Sequence, residues 1–177
     1  MEAALGRARV LAPRDRVAAG LVEYLERHIP EEMHGGEPGG GTLEDLAALG
    51  VDIGSVRAQL PQPKIAALVG SVYYWILHVH PVAVLGYLQL EALPPNASSV
   101  ERLIERTGLR REGFRQLLLH ATVDVEHLQE LDRVVDALPL EPRHEQLIGL
   151  SALQTISMLT DALLDVVDDG SVPGDRV

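Results

Sequence analysis

The chain reads as an all-α protein, and three features of its 177 residues lead there. No segment alternates apolar and polar residues as a half-buried strand does, and the β-branched runs sit inside longer helical patterns. With one Phe, one Trp and four Tyr, the interior must be filled by Leu, Val, Ile and Ala, which suits packed helices better than sandwiched sheets. Helix starts and stops also recur along the chain: capping residues before apolar repeats, Pro at a first helical position, and Gly after helix ends. The length favours a single domain, residues 1–177, with residues 171–177 expected as a disordered tail.

The first helix is expected from about Asp15 to His34, because Val17, Leu21, Leu25 and Ile29 repeat every fourth residue. Pro30 lies inside that pattern and should kink it before Glu31 and Glu32. The run GGEPGGG (35–41) ends the helix. Thr42 with Asp45 forms a capping box for a short helix to about Leu49, closed by Gly50, and Asp52 caps another short piece before Pro61 and Pro63. Lys64 to Glu91 reads as buried helix with a break at His80–Pro81. LPPNASS (93–99) is a loop, and Ser98 with Glu101 is a second capping box opening a helix to Arg106. A long helix follows from about Arg111 to Ala137. Leu138 to Leu140 turn the chain into a last helix that has Pro142 at its first position and runs to Asp168.

Composition excludes several functions. A formal charge of −11, from 15 basic and 26 acidic residues, argues against nucleic acid and against an anionic membrane surface as partners. The absence of Cys removes disulfides, thiolate metal sites and cysteine nucleophiles. MEAALGRARVLAPRDR has no apolar signal-peptide core, so a cytoplasmic location is expected. Ile65 to Leu90 has no Asp, Glu, Lys or Arg and could span a bilayer on length alone. His78, His80, Pro81 and Gln89 favour a buried helix pair, or one kinked helix, over a membrane span. No P-loop, GxGxxG or GxSxG motif is present, and GGEPGGG lacks the Lys-Ser/Thr and preceding strand of a phosphate loop.

The chemistry concentrates in LLLHATVDVEHLQEL (117–131). His120, Asp124 and His127 occupy positions i, i+4 and i+7 and therefore share one helical face, among apolar neighbours. Ionisable groups collected in a core are costly unless paired, and a metal ion pairs them; a solvated polar stripe is the alternative. Glu31 and His34 are three apart on the first helix, with Glu32 and His28 as neighbours able to substitute. Glu91 closes the charge-free segment and offers a carboxylate from a third helix. Three carboxylates and three imidazoles from three helices are the donor set of a carboxylate-rich dinuclear site, whereas structural zinc takes four ligands. His78 and His80 read as hydrogen-bonded core or supporting residues, and His144 as a surface residue. Tyr73, Tyr74 and Trp75 either line a substrate cavity or pack the core.

Three segments together resemble the haem-oxygenase-like di-iron oxidases, a family of iron-containing redox enzymes. They are HIPEEMHGG with the following TLEDLAALGVD, then HPVAVLGYLQLEA with a Gly-Tyr one turn before Glu91, then LLLHATVDVEHLQEL with its His-x3-Asp-x2-His pattern. The similarity extends from about Leu21 through the last helix. It implies a helical bundle with Glu31, His34, Glu91, His120, Asp124 and His127 as ligands to two iron ions, manganese being possible, and no catalytic residue beyond them. It further implies an oxidase or oxygenase that uses dioxygen on a small organic substrate. Known reactions of such proteins include N-oxygenation, oxidative C–C cleavage and cofactor-fragment formation. Relatives commonly have a further helical stretch before the first ligand helix; here about twenty residues precede it, so the bundle is expected to be shortened at the N-terminus. The alternative reading is a non-catalytic helical interaction protein, or an inactive homologue of the same fold. A homodimer is expected from the apolar surface left uncovered.

Overall fold

The computed structural model describes residues 1–32, 40–91, 93 and 95–168, with no side-chain description for 122–126 and 166–168. Among the described residues every regular element is helical. In chain order they are α1 (Glu2–Leu11), α2 (Arg16–Glu31), α3 (Gly40–Ala48), α4 (Ile53–Ala58), α5 (Pro63–Tyr74), α6 (Val84–Glu91), α7 (Ala97–Thr107), α8 (Arg115–Ala137) and α9 (Pro142–Asp168).

The core forms where α1, α2, α6 and α9 meet. α2 contributes Val17, Ala18, Leu21, Tyr24 and Leu25, α6 contributes Leu85 and Leu88, and α9 contributes Leu147 and Ile148. Burying each of these large side chains is worth about 1.5–3 kcal/mol. α2 begins at Asp15, whose Oδ1 accepts hydrogen bonds from the Val17 and Ala18 amides at 2.9 and 3.0 Å. That cap satisfies two of the donors a helix start leaves unpaired. The helix runs through Pro30 and ends at Glu31, where the Glu32 amide reaches back to the His28 and Pro30 carbonyls.

Residues 2–11, for which no helix was expected, form α1. Ala4 and Ala8 are fully buried against α2, so α2 does have a helical cover from the N-terminal side of the chain. The signal is small residues four apart, which let two helix backbones approach without a large apolar side chain to mark the face.

Other local expectations are corrected. Thr42 does not open a capping box, since α3 starts at Gly40. The buried Asp45 instead accepts from the Gln116 amide at 2.7 Å and from Arg115 Nε at 3.3 Å, so it tethers the start of α8. Ser98 does not cap α7; Asn96 does, through the Ser99 amide at 3.1 Å, and Glu101 pairs with Arg111. Asp52 caps α4 as expected, and Pro142 opens α9. Residues 35–39 of the glycine run and the tail 171–177 lie outside the described residues.

Lys64–Glu91 is broken as expected at His80, but only its second half is buried. α5 passes into a π-helical turn at Trp75–Val79, His80 is extended, and a 3-10 turn at Pro81–Ala83 leads into α6. Val82, Ala83, Val84 and Leu85 are at most 1 % exposed, whereas on α5 only Leu68 is buried. Of the three aromatics, Trp75 packs against the core, whereas Tyr73 and Tyr74 are about half exposed. His78 is likewise exposed and stacks near Tyr74. α6 lies so close to α9 that Gly86 has no room for a side chain: a Cβ there would stand 2.2 Å from the Ile148 carbonyl oxygen. This contact holds the C-terminal end of α6, with Glu91, at a set distance from the bundle axis.

Candidate metal centre

α2, α6 and α8 converge on a small cavity of about 40 Å³. Its polar lining comprises His28 and Glu32 from the end of α2, Glu91 from the end of α6, and His120 and His127 from α8; Met1, Tyr24, Leu88 and Leu131 complete it. Among the described residues, three imidazoles and two carboxylates thus face one another, with the Met1 amino group and no Lys or Arg in the lining.

His28 is 5 % exposed and central. Its ring stacks on Tyr24 with centroids 5.0 Å apart and meets the edge of His127 at 5.4 Å. The Glu32 Oε1 atom lies 3.5 Å from both His28 Nε2 and His127 Nδ1. On the other side of the ring, Glu31 Oε2 is 3.6 Å from Nδ1, an atom that is buried and makes no hydrogen bond among the described residues. His120 Nε2 lies 2.7 Å from the Gln116 amide nitrogen, one turn earlier, which holds the ring. Fixing an imidazole through one nitrogen is how ligand histidines are oriented.

Burial pushes the Glu91 carboxyl up, and the facing Glu32 adds to the rise; a hydrogen bond with Tyr87 opposes it. The cavity leaves Glu91 partly wet, yet the protein mass around its carboxyl still weakens its hydration. Burial and the Glu91 charge together push the Tyr87 hydroxyl up to about 12, so it stays protonated and donates to Glu91. Tyr24 is raised also, through burial and then Glu130 and Glu32. Carboxylate charge thus gathers here, opposed by the Met1 amino group and His120 but, among the described residues, by no Lys or Arg in the lining, an arrangement a bound cation would stabilise.

The sequence-predicted ligands divide as follows. Glu91, His120 and His127 share the cavity. Glu31 does not line it, and the adjacent Glu32 does. His34 and the side chain of Asp124 lie outside the described residues, although Asp124 belongs to α8 between the two histidines. His28, which the sequence offers only as a neighbour able to substitute for Glu31 or His34, is the most buried of the described group. Its signal was the stripe itself: Val17, Leu21 and Tyr24–Leu25 lead on to His28 and then Glu32, near the centre of the buried face of α2, while Glu31 falls to one side.

Among the described residues, two groups bring His, Asp and Glu atoms within 4.8 Å of one another and by distance could hold metal ions: His28–Glu31–Glu130, which shares His28 with the cavity, and Asp15–His80–His144. In the first, Glu130 already takes the Arg27 guanidinium. In the second, the Val82 amide donates to His80 Nδ1 and the Glu141 amide to His144 Nδ1, both at 3.1 Å. Each ring then carries its proton on Nε2, and His80 Nε2 donates to Asp15 at 3.0 Å. No free ring lone pair remains for a cation, so this cluster is a buried clamp between α2 and α9. His144, expected on the surface, is 3 % exposed.

A family model described as "Iron-containing redox enzyme" matches residues 18–159, which include α2 through most of α9 and every cavity donor named above. No curated protein and no solved structure shows significant similarity to the chain. The unbalanced donor set, the all-helical bundle and the family match over most of the sequence agree, and the chain belongs to the haem-oxygenase-like family of iron-containing redox enzymes.

Proposed function

We propose that the protein is a non-haem di-iron oxidase or oxygenase that uses dioxygen on a small organic substrate. The observation that carries this reading is the cavity in which His28, Glu32, Glu91, His120 and His127 face one another with no Lys or Arg among the described lining residues. Hard carboxylate oxygens mixed with imidazoles suit iron or manganese, and their supply from three helices suits a carboxylate-rich pair of ions. Those five residues would hold the metal, joined on sequence grounds by Asp124 and His34. When bound, ferrous ions supply the electrons and open coordination positions that dioxygen chemistry requires.

The chain's own contributions follow from its geometry. Glu32, placed between His28 and His127, ties α2 to α8 across the site. Tyr87 donates its hydroxyl proton to Glu91 and so restricts the orientation of that carboxylate. Gln116 fixes the His120 ring. Leu88 and Leu131, at 4 % and 1 % exposure, close the inner wall against water and keep the local dielectric low.

The test is anaerobic reconstitution of metal-free protein with Fe(II), followed by admission of oxygen. The expected result is about two irons bound per chain, as in dinuclear carboxylate bundles, and their oxidation with uptake of dioxygen. Binding of only trace iron or manganese at neutral pH would refute the reading and leave a non-catalytic bundle in its place.

A further inference from the structure

We propose that the junction of α2 and α9 is a binding site for a small phosphomonoester, separate from the metal centre at the other end of α2. The starts of the two helices meet there around a cavity of about 320 Å³, at the lower end of the range for small-molecule sites. Arg14 and Arg16 line it from either side of the α2 cap, and Arg143 lines it from the first turn of α9. Helix starts carry partial positive charge and unpaired amides, which is why phosphate groups settle at them. Here the Arg16 and Arg143 amides make no hydrogen bond among the described residues.

A helix start is a common feature; His144 is the group that points to a ligand. It lines the cavity, yet it is 3 % exposed. Its Nδ1 accepts from the Glu141 amide at 3.1 Å, which leaves the ring proton on Nε2. That buried Nε2–H has no hydrogen-bond partner among the described residues. The neighbouring His80 is held in the same way but gives its Nε2 proton to Asp15 at 3.0 Å. A buried donor without an acceptor is costly, and an anion oxygen in the cavity would supply the acceptor.

The acidic groups of the lining are already engaged. Asp15 has one oxygen on the Val17 and Ala18 amides and the other on His80. Glu141 pairs with Arg143 Nε at 3.2 Å. Arg14 and Arg16 pair with no carboxylate among the described residues. Three arginines against two carboxylates leave the lining at +1, in a chain whose formal charge is −11. Guanidinium forks match the oxygens of phosphate and carboxylate alike, and three of them lining one cavity favour the more highly charged phosphate. Pro139 stands beside them in the lining and offers an apolar wall to an organic substituent. The negative charge of the whole chain disfavours a polyanion, so a single phosphate on a small organic group is the ligand that fits.

Calorimetric titration of the full chain with phenyl phosphate tests this, at ~0.15 M salt where charges are screened beyond about 8 Å. A single saturable site should appear, with a Kd below about 1 mM. Arg14→Gln, Arg16→Gln and His144→Asn should each weaken binding by about tenfold, the effect of one charge-assisted hydrogen bond. The Asn side chain keeps an acceptor for the Glu141 amide and removes the Nε2–H; the two arginines are exposed, so their variants decide the matter should His144→Asn unfold. Arg106→Gln on α7 makes the same change of charge away from the cavity and should bind as the wild type does. Benzoate, a carboxylate of similar size, should bind at least about tenfold more weakly. In ¹H–¹⁵N spectra the His144 Nε2–H resonance should shift as phenyl phosphate is added. Absence of saturable binding would overturn the proposal, as would benzoate binding equally well. So would a loss in Arg106→Gln equal to that in Arg14→Gln, or wild-type affinity in a folded His144→Asn.

Discussion

Replacing Gly86 with Ala adds one methyl group where α6 crosses α9 in close contact. The new Cβ would stand 2.2 Å from the Ile148 carbonyl oxygen, 2.8 Å from the Ala152 amide nitrogen and 2.9 Å from the Ser151 Cβ. Two of these are backbone atoms of α9 and cannot rotate away, so α6 and α9 must separate by about an ångström to restore ordinary contact distances. Overpacking a well-filled core costs about 1–3 kcal/mol and occasionally more, and the rigidity of the obstacle places this case at the upper end. Ala gains about 1 kcal/mol over Gly in a helix interior, so the net loss is about 2 kcal/mol. For a chain of this length that lowers Tm by about 4–8 °C. Urea unfolding followed by far-UV circular dichroism measures the loss directly. Gly6→Ala in α1 is the control, since nothing lies within 4 Å of its added methyl group and it should gain up to about 1 kcal/mol. Because α6 carries Tyr87 and Glu91, Gly86→Ala should also reduce the thermal stabilisation given by Fe(II). Equal or greater stability of Gly86→Ala would refute the close-approach reading.

Three other outcomes are expected. Glu32→Gln should abolish most of the Fe(II)-induced rise in Tm while Glu31→Gln retains it, because only Glu32 faces the cavity; equal losses would show that both carboxylates serve the ion. Asp15→Ala should cost about 1–2 kcal/mol through the lost cap on α2, and a loss under a few tenths, measured by urea unfolding, would mean that solvent replaces the cap. The Asp15–His80 clamp should also impose a pH dependence. Burial holds the His80 imidazole below its usual value despite Asp15; burial raises Asp15, but the Ala18 amide, His80 and the Val17 amide outweigh it and leave it lowered. Groups with depressed folded values contribute stability that is present above the unfolded value and lost as pH falls through the folded one. The His80 contribution should therefore fade as pH drops below about 6.5, and that of Asp15 below about 3.9. Urea midpoints at pH 7.5 and 5.5 should differ less in His80→Asn than in the wild type, and equal differences would remove His80 from the account.

Much of this protein was legible in its residues because the determining interactions are local. The apolar stripe of α2, the Asp52 cap, the break at His80–Pro81 and the start of α9 at Pro142 each depend on neighbours within a turn or two. The same holds for the face shared by His120 and His127, since helical geometry alone aligns residues seven apart. The family resemblance added the link between that face and Glu91, which no local rule supplies.

Tertiary structure decided what sequence distance hides. Which of two adjacent glutamates enters the cavity depends on the rotation of α2 against α6 and α8, a difference of one residue in phase that the pair Glu31–Glu32 leaves open. The fate of Asp45 turned on the arrival of α8 some seventy residues later, and that of His144 on its contact with His80. An apolar helix is buried only if something is there to cover it. The charge-free run from Ile65 fixes the propensity of α5 to form and its lack of attraction for water; its exposure follows from where the chain places α9, which covers one side of α5 and leaves the other exposed.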